Sequence, residues 1–137
     1  MTAVHRLQVL EQQAGQILRN MGYEPLIMGD LGSGRHNPFN LIARKEFDDG
    51  TFDGVMVKLK ICLHPIASLT EAAVFCRDEI RCVKKFFDQV PADVKPPRFE
   101  VWVSIPSNKF QQFEITRDDI REILAPDDKA GQEAGAA

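Results

Sequence analysis

Over the first twenty residues the apolar positions Val4, Leu7, Leu10, Ala14, Ile17, Leu18 and Met21 recur every three or four residues. That is the period of one face of an α-helix. Gly22 follows where a left-handed residue closes a helix, so a helix is predicted over 4–21. Glu11 falls inside this stripe, and a carboxylate there needs a partner, because burying it alone is costly. Residues 23–28 read as a short strand. Gly29, Gly32, Gly34 and Pro38 make the next ten residues a loop. A strand follows over 39–44, then the turn residues Asp48, Asp49 and Gly50. The strand over 55–62 alternates, with Val55, Val57, Leu59 and Ile61 on one face and Met56, Lys58 and Lys60 on the other.

Ser68-Leu69-Thr70-Glu71 has the pattern of a capping box, in which the serine oxygen accepts a backbone N–H and the glutamate reaches back. The helix behind it is predicted to run to about Asp88 on the stripe Leu69, Ala72, Ala73, Cys76, Ile80, Val83 and Phe87. Arg77, Arg81, Lys84 and Lys85 lie off that stripe. They read as a solvated face, with phosphate contact as the second reading. Three prolines between Pro91 and Pro97 mark a connector. Strands are predicted over 99–105 and 110–115, and Thr116 is read as the cap of a short final helix that Pro126 ends. The order α-β-β-β-α-β-β-α predicts an α/β fold, a mixed central sheet of about five strands flanked by helices. One domain is expected over 1–125, followed by a flexible acidic, Ala- and Gly-rich tail over 126–137.

Composition narrows the function classes without choosing one. The chain of 137 residues is 44% hydrophobic and 27% charged, enough for one domain with a core. No run approaches the roughly 18–20 apolar residues of a membrane helix, and Met1-Thr2-Ala3-Val4-His5-Arg6 lacks a signal-peptide pattern. A cytoplasmic protein is therefore expected. Cys62, Cys76 and Cys82 form no C-x-x-C pair, and Cys62 with His64 has no second pair to complete a zinc site. The net charge is −3, but residues 114–137 carry seven acids against three bases. The first 113 residues then hold fourteen bases and thirteen acids, so a nucleic-acid partner is neither demanded nor excluded. The glycine spacing matches no nucleotide-binding pattern, so no nucleotide cofactor is expected. His5, His36 and His64 have no partner nearby in sequence for a catalytic triad. Trp102, alternating with Val101 and Val103, reads as packing.

A set of motifs spread over roughly residues 5–122 points to one group of nucleases. In that group a helix glutamate, an acid opening one strand and an acid-x-lysine pair on the next hold magnesium, which activates water. Here the corresponding features are Glu11, the step Gly22-Tyr23, the loop Gly32-Ser33-Gly34 and the strand opening Pro38-Phe39-Asn40-Leu41-Ile42-Ala43. Val55-Met56-Val57-Lys58-Leu59-Lys60 and the late strand from Phe110 to Ile115 complete the pattern. On these residues the chain resembles the restriction-endonuclease-like PD-(D/E)xK superfamily, closest to the archaeal-type Holliday junction resolvases. The resemblance places Glu11, Asn40, Lys58 and Lys60 at the family's catalytic positions, in one cleft. Asn40 stands where an aspartate binds metal, and Lys58 where the second acid should be, an ammonium that repels a divalent cation.

The resemblance therefore implies a degenerate site without metal. The expected role is a non-catalytic module that binds DNA or RNA weakly, or another protein. The alternative is an active Mg²⁺-dependent, junction-resolvase-like endonuclease with an atypical site. Ser33, Arg35, His36, Lys58 and Lys60 are the candidate phosphate contacts, although a loop carrying stray basic residues accounts for Arg35 and His36 equally well. The family also implies a homodimer. The plainer alternatives are a structural ion pair between Glu11 and one of the lysines, and lysines that guard a sheet edge. Asp48, Asp49 and Asp53 read as turn chemistry, not as a relocated metal site.

Overall fold

The computed structural model describes residues 3–28, 39–107 and 109–123. Helix α1 spans Ala3–Asn20 and buries Leu10, Ala14 and Leu18 along one side. Its end has a glycine at φ +94°, Gly22. The Gly22 N–H bonds to Arg19 O at 3.0 Å and the Tyr23 N–H to Leu18 O at 2.9 Å. These two bonds satisfy carbonyls that a helix terminus would otherwise leave open.

Strands β1 (Glu24–Ile27), β2 (Leu41–Glu46) and β3 (Phe52–Ile61) form an antiparallel meander. Helices α2 (Leu69–Phe75) and α3 (Arg77–Gln89) then cross over to β4 (Arg98–Ile105), which lies parallel to β3. Strands β5 (Lys109–Ile115) and β6 (Ile120–Ile123) continue antiparallel. The result is a mixed six-stranded sheet in the order β1-β2-β3-β4-β5-β6.

The alternation in β3 divides the core. Val55, Val57 and Leu59 pack with Leu41, Ala43, Trp102 and the buried side of α1. On the opposite face, α2 and α3 bring Ala72, Cys76 and Val83 onto Phe99, Val101, Val103, Phe113 and Ile115. The Phe99 ring gathers Phe39 at 5.4 Å and Phe86 at 5.0 Å. Each fully buried aliphatic side chain in these layers contributes about 1.5–3 kcal/mol relative to exposure. Helix α1 packs on β1, β2 and β3.

Three sequence expectations are corrected. The single helix expected over 69–88 breaks at Cys76, whose φ −102° and ψ 20° end α2 and start α3. In the capping box Ser68 Oγ accepts from the Glu71 N–H at 3.1 Å, but the Glu71 carboxylate accepts from Ala67 N–H at 3.2 Å, one residue before the cap. The final helix expected after Thr116 is strand β6, which raises the count from about five strands to six. Thr116 opens a tight turn instead, its N–H bonding Asp119 O at 2.9 Å. Ile115 and Ile120 are register partners buried in the same layer, and a hairpin is what brings both there. The expected tail over 126–137 lies outside the described residues. No helix among the described residues is long and apolar enough to cross a membrane.

Candidate functional site

Strand alternation decides which of the sequence candidates meet. Lys60 points to the α2/α3 face, where its Nζ donates to Glu79 Oε1 and to Phe75 O, both at 2.7 Å. The ammonium also lies 4.7 Å from the Phe75 ring centroid. Phe75 O is a carbonyl at the end of α2, and Glu79 sits in the first turn of α3. Lys60 thus fills the break between the two helices, which a charge at a helix terminus stabilises. Lys58, two residues earlier, shares this face by the same alternation. It is half-buried and makes no ion pair with any described residue.

Glu11 is on the other side of the sheet. It is buried in α1 beside Leu10 and Ala14, the layer that packs on Val55, Val57 and Leu59. The expected convergence of Glu11 with Lys58 and Lys60 in one cleft is therefore corrected: the sheet stands between them. The reason is the apolar alternation of β3, which turns the valines toward α1 and the lysines away.

Asn40 lies at the entry to β2 and joins three strands. Its C=O accepts from Met28 N–H and its N–H donates to Val57 O, both at 2.8 Å. Its side-chain Oδ1 accepts from the Leu59 N–H at 2.7 Å. The amide oxygen thus replaces a strand carbonyl where β2 begins, and the position works as a joint of the sheet. Ser33, Arg35 and His36 lie outside the described residues. Asp48 and Asp49 remain at the hairpin tip, where the Asp49 carboxylate accepts from both the N–H and the hydroxyl of Thr51. Among the described residues no group of three His, Cys, Asp or Glu side chains is placed to hold a metal ion.

The outer face of α3 carries the exposed Arg77, Arg81, Lys84 and Lys85. Steps of four, three and one residues put all four within one side of the helix, opposite buried Glu79 and Val83. None of the four is paired to a described acid, while Asp88 at the end of the stripe meets Arg117 at 4.0 Å. The stripe covers about 12 Å at the helical rise.

Sequence reading missed a second polar cluster, on the α1 face, because its members are far apart in the chain. Tyr23 Oη and Arg98 Nη1 both donate to Asp53 Oδ2, and Arg98 Nη2 donates to Tyr23 Oη at 2.9 Å. Arg98 Nε continues to Glu100 Oε2 at 3.3 Å, and Trp102 Nε1 donates to Glu100 Oε1 at 2.9 Å. The β3–β4 register, which pairs Val55 with Arg98 and Val57 with Glu100, assembles this chain of groups. Burial pushes against ionisation of Asp53, yet the hydrogen bonds from Tyr23 and Arg98 outweigh it and hold the carboxyl below its ordinary range. At Glu100 burial wins over Trp102 and Arg98, and the carboxyl is raised. Burial likewise raises the Tyr23 phenol, with the Asp53 hydrogen bond adding to it. The Tyr23 hydroxyl, the Trp102 indole N–H and each guanidinium nitrogen of Arg98 have an acceptor, so the chemistry of the cluster is that of a clamp joining the α1–β1 junction to β3 and β4. Only the i, i+2 spacing of Arg98, Glu100 and Trp102 could have signalled it in the sequence.

Comparison of the chain with family models, with curated proteins and with solved structures finds no match in any of the three.

Proposed function

We propose that this protein is a catalytically silent, nuclease-like domain that holds a nucleic-acid backbone without cutting it. The observation that carries this reading is the stripe of Arg77, Arg81, Lys84 and Lys85 on the solvent side of α3, four cations that outnumber the exposed Asp78 and Asp88 on that side and form no ion pair with a described acid. Such a row attracts phosphates whatever the base sequence. The element order supports the scaffold: a helix, a three-strand meander and a helical crossover to a parallel strand are what the resemblance to PD-(D/E)xK nucleases implies. The residues at the family's metal positions support silence. The Asn40 amide oxygen is spent on the Leu59 N–H, Lys58 is a cation, and Lys60 is bound to Glu79.

Fluorescence anisotropy with labelled DNA and RNA oligonucleotides tests the binding. Affinity should fall as salt rises, with a log–log slope of about −3 for four neutralised phosphates. The triple variant Arg81→Glu/Lys84→Glu/Lys85→Glu should abolish binding while leaving the circular dichroism unchanged. Unchanged affinity in that variant overturns the proposal. So does robust cleavage of junctions, flaps or single strands in Mg²⁺ or Mn²⁺ that is lost on changing Asn40 or Lys58.

A further inference from the structure

Beyond α3 the chain carries one more cation before β4, Lys95, after the exposed Asp88 and Asp93. From Gln89 the chain returns through the proline connector to β4, and on the way Lys95 Nζ donates to Phe52 O at 3.1 Å. Pro97 lies over Gly54, within 3.5 Å of where a side chain there would begin. Phe52 opens β3 and is 43% exposed. By alternation with Asp53 and Val55, which face α1, Phe52 is on the α2/α3 face of the sheet. Arg44 shares that face from β2, its guanidinium carbon 4.6 Å from the Phe52 ring centroid. The connector thus leads from the basic helix to an exposed ring flanked by Arg44 and Lys95.

Cations combined with an exposed aromatic ring are the pairing that single-stranded nucleic acid requires: charges follow the backbone and the ring takes an unpaired base. Base pairs inside a duplex are stacked on their neighbours and offer no free face to such a ring. Arg44 strengthens the seat, since a guanidinium over a ring both polarises it and lies near an incoming phosphate. Glu46, the register partner of Phe52, puts an acid beside the ring on the same face, and Asp49 at the turn is bonded to Thr51.

We infer that Arg44 and Phe52 form a base-stacking seat where the connector after α3 meets the start of β3, and that the bound polyanion is single-stranded. This inference rests on the phosphate-binding reading above, and the two can fail separately. The probes are fluorescein-labelled oligothymidine and its duplex with oligodeoxyadenosine, at low salt. Wild type should prefer the single strand. Phe52→Leu, which keeps an apolar side chain at this exposed position, should weaken single-strand binding roughly ten-fold, the effect of losing one stacked base, and leave the duplex unchanged. Phe52→Trp should keep the affinity, with emission quenched on binding above the background of buried Trp102. Equal affinity for both probes, or an unchanged single-strand affinity in Phe52→Leu, overturns the stacking seat and leaves the α3 stripe standing. Unchanged binding in the α3 triple variant removes the phosphate reading, and absence of binding to either probe removes both.

Discussion

Lys60 and Glu79 meet at 2.7 Å across the break between α2 and α3, with 21% and 7% of their side chains exposed. Lys60, which the nuclease resemblance would make catalytic, is thereby a strut between sheet and helices. It holds Phe75 O with a second hydrogen and so fixes where α2 stops.

Removing one partner of this pair should be costly. Glu79→Ala should destabilise the fold by about 2–3 kcal/mol, somewhat less than a fully buried pair because Lys60 keeps contact with water. Lys60→Met combined with Glu79→Leu should recover most of the loss, since an apolar pair carries no desolvation cost. Urea denaturation of the two variants checks both values, and a double variant weaker than Glu79→Ala contradicts the account.

Asn40 gives a test in which structure and chemistry separate. Asn40→Leu removes the acceptor of the Leu59 N–H and should cost about 1–3 kcal/mol. Asn40→Asp keeps an acceptor oxygen and should stay near wild type in stability. It should not confer Mg²⁺-dependent cutting, because Glu11 lies across the sheet and Lys58 is a cation. Thermal unfolding and a plasmid nicking assay report the two effects.

Acid should act in two stages. Glu100 has a folded-state pKa raised above its ordinary 4.5, so its cost is fully present at neutral pH and is relieved as pH falls through the raised value toward 4.5. Asp53 has a folded-state pKa below its ordinary 3.8, so its contribution is present above 3.8 and is lost as pH falls through the lowered value. Glu100→Gln should be more stable than wild type at pH 7 and lose the gain on mild acidification. Asp53→Asn should be less stable at pH 7 and less sensitive below 3.8. Unfolding free energies measured across pH 2–8 decide, and parallel profiles for all three proteins would contradict the assignment.

The three thiols should react in order of access. Cys76 is fully buried, and burial pushes its pKa up to about 11. Cys82 is half-buried with a raised pKa, chiefly from burial, while Cys62 is half-buried at the end of β3. Iodoacetamide at pH 8 should label Cys62 first, Cys82 more slowly, and Cys76 only after denaturation. Peptide mass spectrometry gives the order, and early labelling of Cys76 would contradict its packing against α2, α3 and the sheet.

Much of the framework was legible because it is written in local periods. The valine alternation of β3, the glycine at 22 and the Ser68 cap each declare their geometry within a few residues. The failures came where distant partners decide. Thr116-Arg117-Asp118-Asp119 suits a helix start as well as a turn, and the match between Ile115 and Ile120 settles it. The break at Cys76 is invisible in an apolar stripe that runs straight through it, and is set by Lys60 from another strand. Glu11 and the lysines could have been separated from sequence alone. The stripe that buries Glu11 must pack on the valine face of β3, and the lysines occupy the other. The Tyr23–Asp53–Arg98–Glu100 cluster depends on the parallel register of β3 and β4, which no local pattern encodes.

That parallel register has a consequence for how the chain assembles. Every other strand pair in the described sheet joins strands that follow one another in the chain, through three to five residues except for the thirteen between β1 and β2, so two meanders can each zip locally. The seam between β3 and β4 must wait until α2 and α3 have closed a far longer loop. Closing this seam is the step expected to limit folding, and residues astride it, Val57 against Glu100 and Leu59 against Trp102, are where substitutions should slow refolding most.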